Sequence, residues 1–242
     1  MSNAKNLDLS TMKIHNLVYG KSGTGKTTWA CGFPKPFVFD FDGGMLSQRG
    51  RDVEYETYGL PGEAKGVAFQ RFESKLSEIE KNPGKFETYI LDSITTMQEY
   101  RLEFIVAGTG KPRPTQYEWG MLVLDLRDYM QRLCKLNANI IVIAHEAMVQ
   151  DEITGEVLVE PVIYGRKLPA QLPLWFDEVY RAQVSRTSKG EAQFELLTWA
   201  TTKFSAKSRL GCLPEVIKWS QGGKPVESYS LLTRLIKEGG KK

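Results

Sequence analysis

The chain has 242 residues, of which 41% are hydrophobic and 25% charged, an ordinary globular composition able to bury one sizeable core. The 32 Lys and Arg against 29 Asp and Glu leave a formal charge of +3, too small to demand a polyanionic partner. Three scattered cysteines without a CxxC pair, and only His15 and His145, exclude a zinc ribbon and a histidine-rich metal site, and no apolar run reaches the roughly 18 residues of a membrane span.

Taken in chain order, short apolar runs bounded by turn residues alternate with longer stretches of helical spacing. Strands are expected over 13–19, 36–41, 87–92 and 139–145, the last built on Ile140-Ile141-Val142-Ile143. Helices are expected over 64–81, with Val67, Phe72, Leu76 and Ile79 on one face, over 93–107, and over 116–136. In the last of these, Leu122, Leu126, Tyr129 and Leu133 are in register. Beyond 145 the pattern changes. A hairpin is expected over 146–161 around Thr154-Gly155, and a second strand pair over 178–186 and 193–201, both read as antiparallel additions to the sheet. A final helix over 227–237 precedes a Gly-Gly-Lys-Lys tail. Together these predict an α/β fold, with a mostly parallel central sheet flanked by helices and antiparallel strands added at the C-terminal side.

One segment carries clear chemistry. Gly20-Lys21-Ser22-Gly23-Thr24-Gly25-Lys26-Thr27 satisfies GxxxxGK[ST] between an expected strand and helix. The glycines let backbone N–H groups turn inward on phosphate oxygens, and the helix start faces the same anion. Lys26 reaches the β- and γ-phosphates and the Thr27 hydroxyl binds Mg²⁺, with Thr28 completing the nucleotide-contact set. Asp92, ending the strand Tyr89-Ile90-Leu91-Asp92, suits the metal through water, and Ser93 suits the cap of the following helix. Asp42, at the end of Phe39-Asp40-Phe41-Asp42-Gly43-Gly44, suits either orientation of an attacking water or simple turn chemistry.

The order of phosphate loop, acidic strand end before Gly-Gly, Asp-ended strand and Ile143-Ala144-His145-Glu146 resembles the RecA-like P-loop ATPases. More closely it is similar to phage-encoded ATP-binding proteins of the AAA type, some of which act in recombination and single-strand annealing. The resemblance covers about 12–212, which reads as the ATPase core, after a flexible 1–11 and before a 213–242 extension. It implies a Mg²⁺-dependent ATPase; the sparse, odd cysteine count fits a reducing cytoplasm, that of the host if phage-encoded. It places Asp42 where the family carries a catalytic Glu, and His145 where a polar group senses the γ-phosphate, with Glu146 as a weaker candidate. Lys207 and Arg209, in Ala206-Lys207-Ser208-Arg209-Leu210-Gly211, fall on a Lys-x-Arg element inserted into a neighbour's site, which implies a homo-oligomeric ring or filament. The same resemblance suggests single-stranded DNA, and with it a single-strand-binding protein, as partners. The candidate DNA-contacting stretches are Lys111–Arg113 and the loop with Arg166 and Lys167, flanked by the aromatics Tyr117, Trp119, Tyr164 and Trp175. An ATP-gated switch with feeble hydrolysis and a small-molecule P-loop kinase remain as alternatives.

Overall fold

A computed structural model describes residues 12–150, 155–165 and 168–239. Thr154, Arg166, Lys167, the 1–11 segment and the end of the C-terminal tail lie outside the described residues. The parallel strands β1 (His15–Tyr19), β2 (Pro36–Asp40), β3 (Glu54–Thr57), β4 (Thr88–Asp92) and β5 (Asn139–Ala144) form most of the central sheet. It is completed by β8 (Glu178–Arg186), β9 (Ala192–Leu197), β10 (Lys207–Ser208) and β11 (Val216–Lys218). The order is β11-β9-β8-β1-β5-β4-β2-β3, with β10 also on β8.

Both faces are covered, which is why β2, β4 and β5 are buried at every position instead of alternating. On one face lie α2 (Lys65–Lys81), α3 (Ile94–Thr109) and α4 (Gln116–Cys134), whose apolar stripes meet Leu17, Phe39, Leu91 and Val142. On the other lie α1 (Lys26–Ala30) and α6 (Ser228–Gly239), packed on Val18, Val38, Ile90 and Ile141. Leu213, Ile217, Trp219, Leu232 and Ile236 share that second core, so the segment beyond residue 212 packs directly against α1. Ser228 Oγ donates to the Trp29 carbonyl at 2.7 Å and pins α6 there.

The structure corrects three expectations and adds one unexpected strand. Val67 is 51% exposed, and the buried face of α2 is Ala68, Phe69, Phe72, Leu76 and Ile79. Residue 68 is one helical turn from 72, whereas 67 is rotated well off that line. The hairpin after residue 145, β6 (Glu146–Gln150) with β7 (Val157–Pro161), does not extend the sheet but stands as a separate two-stranded sheet. It continues from β5, a central strand already paired on both edges, so no free edge is available to it. β8 is parallel to β1, because the chain returns to the N-terminal end of the sheet through the short α5 (Leu168–Gln171) and a 3₁₀ turn, Leu172–Trp175; β9 and β10 are antiparallel to it. Finally, β3 is an edge strand of sequence Glu-Tyr-Glu-Thr, whose partial exposure leaves no apolar run to find. The small β12 (Ser220–Gln221) and β13 (Lys224–Pro225) pair as a hairpin beside β9.

Candidate nucleotide site

Parallel strands deliver their C-terminal ends to one edge of the sheet, where crevices form between diverging loops. There β1 feeds the Gly20–Thr27 loop, β2 leads to Asp42, β4 ends at Asp92 and β5 leads to His145. These meet around a cavity of about 660 Å³, within the range of roughly 300–1,000 Å³ usual for ligand sites. Lys26, Thr27, Asp42, Asp92 and His145 all line it.

The loop is shaped for backbone donation. Gly23 and Gly25 adopt left-handed φ values of 76° and 82°, and a Cβ on Gly20 would sit 2.4 Å from the Ala182 carbonyl oxygen. Thr24 Oγ1 donates to the Lys21 carbonyl at 2.8 Å and closes the curl. α1 has only five residues, so its macrodipole is small and the cradle rests on loop N–H groups rather than on the helix end. Lys26 Nζ folds over the loop, donating to the carbonyls of Gly20 at 2.9 Å and Lys21 at 2.8 Å. Burial lowers its pKa, opposed by the charges of Asp92, Asp42 and Glu146.

Thr27 Oγ1 donates to Asp92 Oδ2 at 2.6 Å, bringing the two expected metal-binding oxygens together. Asp92 is 2% exposed. Burial pushes its pKa up to about 6, against the Thr27 hydrogen bond, and the nearby charges of Asp42 and Asp40 push the same way. Ser93 caps α3, its hydroxyl accepting from the Thr96 N–H at 3.2 Å.

Asp42 is a cavity-facing carboxylate rather than a turn residue. His145 Nε2 lies 2.9 Å from Asp42 Oδ2, Ser93 Oγ donates to Oδ1 at 3.0 Å, and Thr96 Oγ1 also donates to Oδ1. Burial alone would raise its pKa, but these partners outweigh it and hold the carboxyl below its ordinary value. The neighbouring Asp40 takes the turn role, accepting from the Gly44 N–H at 3.1 Å and the Thr57 hydroxyl at 2.9 Å. Thr95 Oγ1 accepts the His145 N–H at 3.0 Å and fixes its backbone. Glu146 is held by Arg181 in a buried ion pair at 2.9 Å, and Arg181 stacks on Phe204 with its guanidinium carbon 3.8 Å from the ring centroid.

Ser93 and Thr96 as partners of Asp42 carry no signal in the sequence, which marks Ser93 as a helix cap only. Ser22, Gly23, Gly25 and Thr28 line the cavity, while Gly20, Lys21 and Thr24 shape the loop behind it.

Other expected residues lie elsewhere. Lys207 and Arg209 sit at the opposite end of the sheet, where β10 meets the start of β8. There Lys207 Nζ donates to the Pro173 carbonyl at 2.5 Å and Arg209 pairs with Asp177 at 2.9 Å. Lys111 pairs with the buried Glu118 at 2.6 Å, and Arg113 is exposed. Tyr117, Trp119 and Tyr164 line a separate, mainly apolar cavity of about 1160 Å³, whereas Trp175 packs against the first core. No helix among the described residues is long and apolar enough to cross a membrane.

A family model described as an AAA domain matches residues 12–210. No curated protein is similar enough to count as a match.

Proposed function

Because the chain belongs to the AAA domain family of P-loop ATPases, we propose that this cavity binds ATP with Mg²⁺ and hydrolyses it, with Asp42 and His145 as the pair that manages the attacking water. The supporting observation is the convergence of Lys26, Thr27, Asp92, Asp42 and His145 on one cavity from four strand ends. Mg²⁺ suits the donors present, since it takes oxygen ligands and retains several waters. Thr27 and Asp92 offer two such oxygens side by side, and no cluster of three or more His, Cys, Asp or Glu able to hold a metal occurs among the described residues. When bound, the ion neutralises charge that develops on the phosphate oxygens.

The protein's own groups divide the work. Loop N–H groups hold the phosphates, and Lys26 exchanges two carbonyl partners for phosphate oxygens. Asp42, held acidic by three donors, orients water and does not fully deprotonate it, which favours slow turnover. His145 bridges Asp42 to the γ-phosphate position.

The proposal extends to assembly and to DNA. Lys207 and Arg209 pack at the end of the sheet away from their own cradle, so any role for them at a phosphate needs a neighbouring copy joined head to tail. Recombination or single-strand annealing, with single-stranded DNA and a single-strand-binding protein as partners, follows from the resemblance. The exposed Tyr117 and half-buried Trp119 and Tyr164 supply stacking surface for it.

The test is ATP turnover with and without Mg²⁺ and single-stranded DNA. Mg²⁺-dependent hydrolysis that vanishes in Lys26→Ala together with nucleotide binding is expected. Unaltered ATP affinity in Lys26→Ala overturns the cradle assignment, and indifference to single-stranded DNA removes the DNA role.

A further inference from the structure

The cavity has two unlike ends, and the sheet order sets which is which. The cradle follows β1. Asp42 and His145 come from β2 and β5 on one side of it, whereas β8 and β9 lie on the other. A nucleoside triphosphate laid across the loop with its γ-phosphate toward Asp42 therefore carries its base toward β9. On that side the cavity is lined by Phe194 of β9 and Pro225 of β13.

That wall is built against the cradle. Phe194 is half-buried, and its ring packs edge-on to Trp219 with centroids 5.6 Å apart. Trp219 is fully buried and packs on Trp29 of α1 at 5.3 Å. The Phe194 N–H donates to Ser220 Oγ at 3.0 Å, and the Trp219 N–H donates to the Phe194 carbonyl at 3.0 Å. The loop accommodates both rings. A Cβ on Gly25 would lie 3.0 Å from Phe194 Cδ1 and 3.0 Å from Trp219 Cζ2. Gly25 is thus required by close approach as well as by its positive φ.

We propose that Phe194 and Pro225, backed by Trp219, form the nucleobase wall of this site, the base stacking on the Phe194 face beside the Pro225 ring. The inference rests on the reading of the cavity as an ATP site and goes beyond it. Trp219 and Pro225 lie past residue 210, where the family match ends, so this chain's own C-terminal hairpin completes the site. Stacking on an aromatic face serves any base and contributes affinity that a bare phosphate chain cannot gain.

Calorimetric titration of the full chain with Mg²⁺–ATP and with Mg²⁺–tripolyphosphate tests it, using wild type, Phe194→Leu and Phe194→Tyr. Phe194→Leu keeps apolar bulk against Gly25 and Trp219 but removes the aromatic face. It is expected to weaken ATP on the order of ten-fold, to leave tripolyphosphate unchanged, and to be rescued by Phe194→Tyr. Equal weakening of both ligands would assign Phe194 to holding the cradle and overturn the base wall, as would unchanged ATP affinity. Wild type that binds neither ligand would instead overturn the phosphate-cradle reading beneath it. Pro225→Ala, which removes the second ring of the wall without adding charge beside the phosphates, gives the same contrast if Phe194→Leu loses its thermal transition.

Discussion

Two buried carboxylates stand at opposite ends of the sheet, and they are partnered very differently. Glu178 begins β8 and is fully buried. Its Oε1 accepts the N–H groups of Arg209 at 3.0 Å and Leu210 at 3.1 Å, and its Oε2 accepts the Tyr180 hydroxyl at 2.7 Å. Asp92 ends β4 under the cradle and, among the described residues, accepts one side-chain hydrogen bond, from Thr27. Burial raises the pKa of both. For Glu178 the donors offset part of that penalty, whereas Asp92 also faces the charges of Asp42 and Asp40. A carboxylate saturated with donors pins a loop. One starved of donors and set among other carboxylates has the character that the proposed Mg²⁺ site needs.

Substituting Asp92 pushes that contrast hardest. Asp92→Asn should cut Mg²⁺-dependent turnover roughly 100-fold while making the ligand-free protein more stable above pH 6. The sign follows from its pKa. The native value of about 6 lies above the ordinary 3.8, so the folded state binds this proton more tightly. Stability therefore falls as pH rises through that window and stays lost above it. The asparagine recovers up to roughly 3 kcal/mol at pH 7.5 and almost nothing at pH 4, as read by denaturant unfolding. An Asp92→Asn protein less stable than wild type at pH 7.5 would remove the idea of an open ligand.

Glu178→Ala should behave in the opposite way. It strands two N–H groups and a hydroxyl and should cost roughly 2 kcal/mol of stability, with ATP affinity of the folded protein unchanged because the cradle lies at the other end of the sheet. A stability-neutral Glu178→Ala would mean that water replaces the carboxylate and that the pin is illusory.

A smaller effect comes from pH alone. Protons compete with the cation for Asp92 below its pKa of about 6. Mg²⁺ affinity, titrated in the presence of nucleotide, should fall about five-fold between pH 6 and pH 5. A flat profile would show that the metal does not need the Asp92 charge.

Most of this open end was legible in the sequence, because each of its parts is local. The phosphate loop is contiguous, and Asp42, Asp92 and His145 each follow an apolar run that reads as a buried strand. What the sequence hid was relational. That Asp42 meets His145 across 103 positions, or that Phe194 and Pro225 close the far side, depends on strand order, which no single run encodes. β3 was hidden for another reason, since an edge strand with exposed Glu54 and Tyr55 carries no apolar signature. The hairpin after His145 is legible as a hairpin but not its place, because its pairing depends on which sheet edges are already occupied.

The pinned end raises the last question, namely what Glu178 holds in place. Its two backbone donors belong to Arg209 and Leu210, so it fixes the segment that presents Lys207 and Arg209. The Arg209 side chain is 55% exposed and pairs with Asp177 at the surface, an arrangement that contributes little to stability. Arg209→Ala should therefore fold normally and keep its ATP affinity, with turnover lowered several-fold and only at concentrations where chains associate. Mixing identifies where the arginine acts. Lys26→Ala chains have a dead cradle and an intact Arg209, and Arg209→Ala chains have the reverse. If Arg209 serves a neighbour's phosphate, a mixture contains junctions with one intact cradle facing one intact arginine. Its turnover per intact cradle should then exceed that of the Arg209→Ala chains alone at the same total concentration. A mixture no faster than its Arg209→Ala component would leave Arg209 as a partner of Asp177 and nothing more.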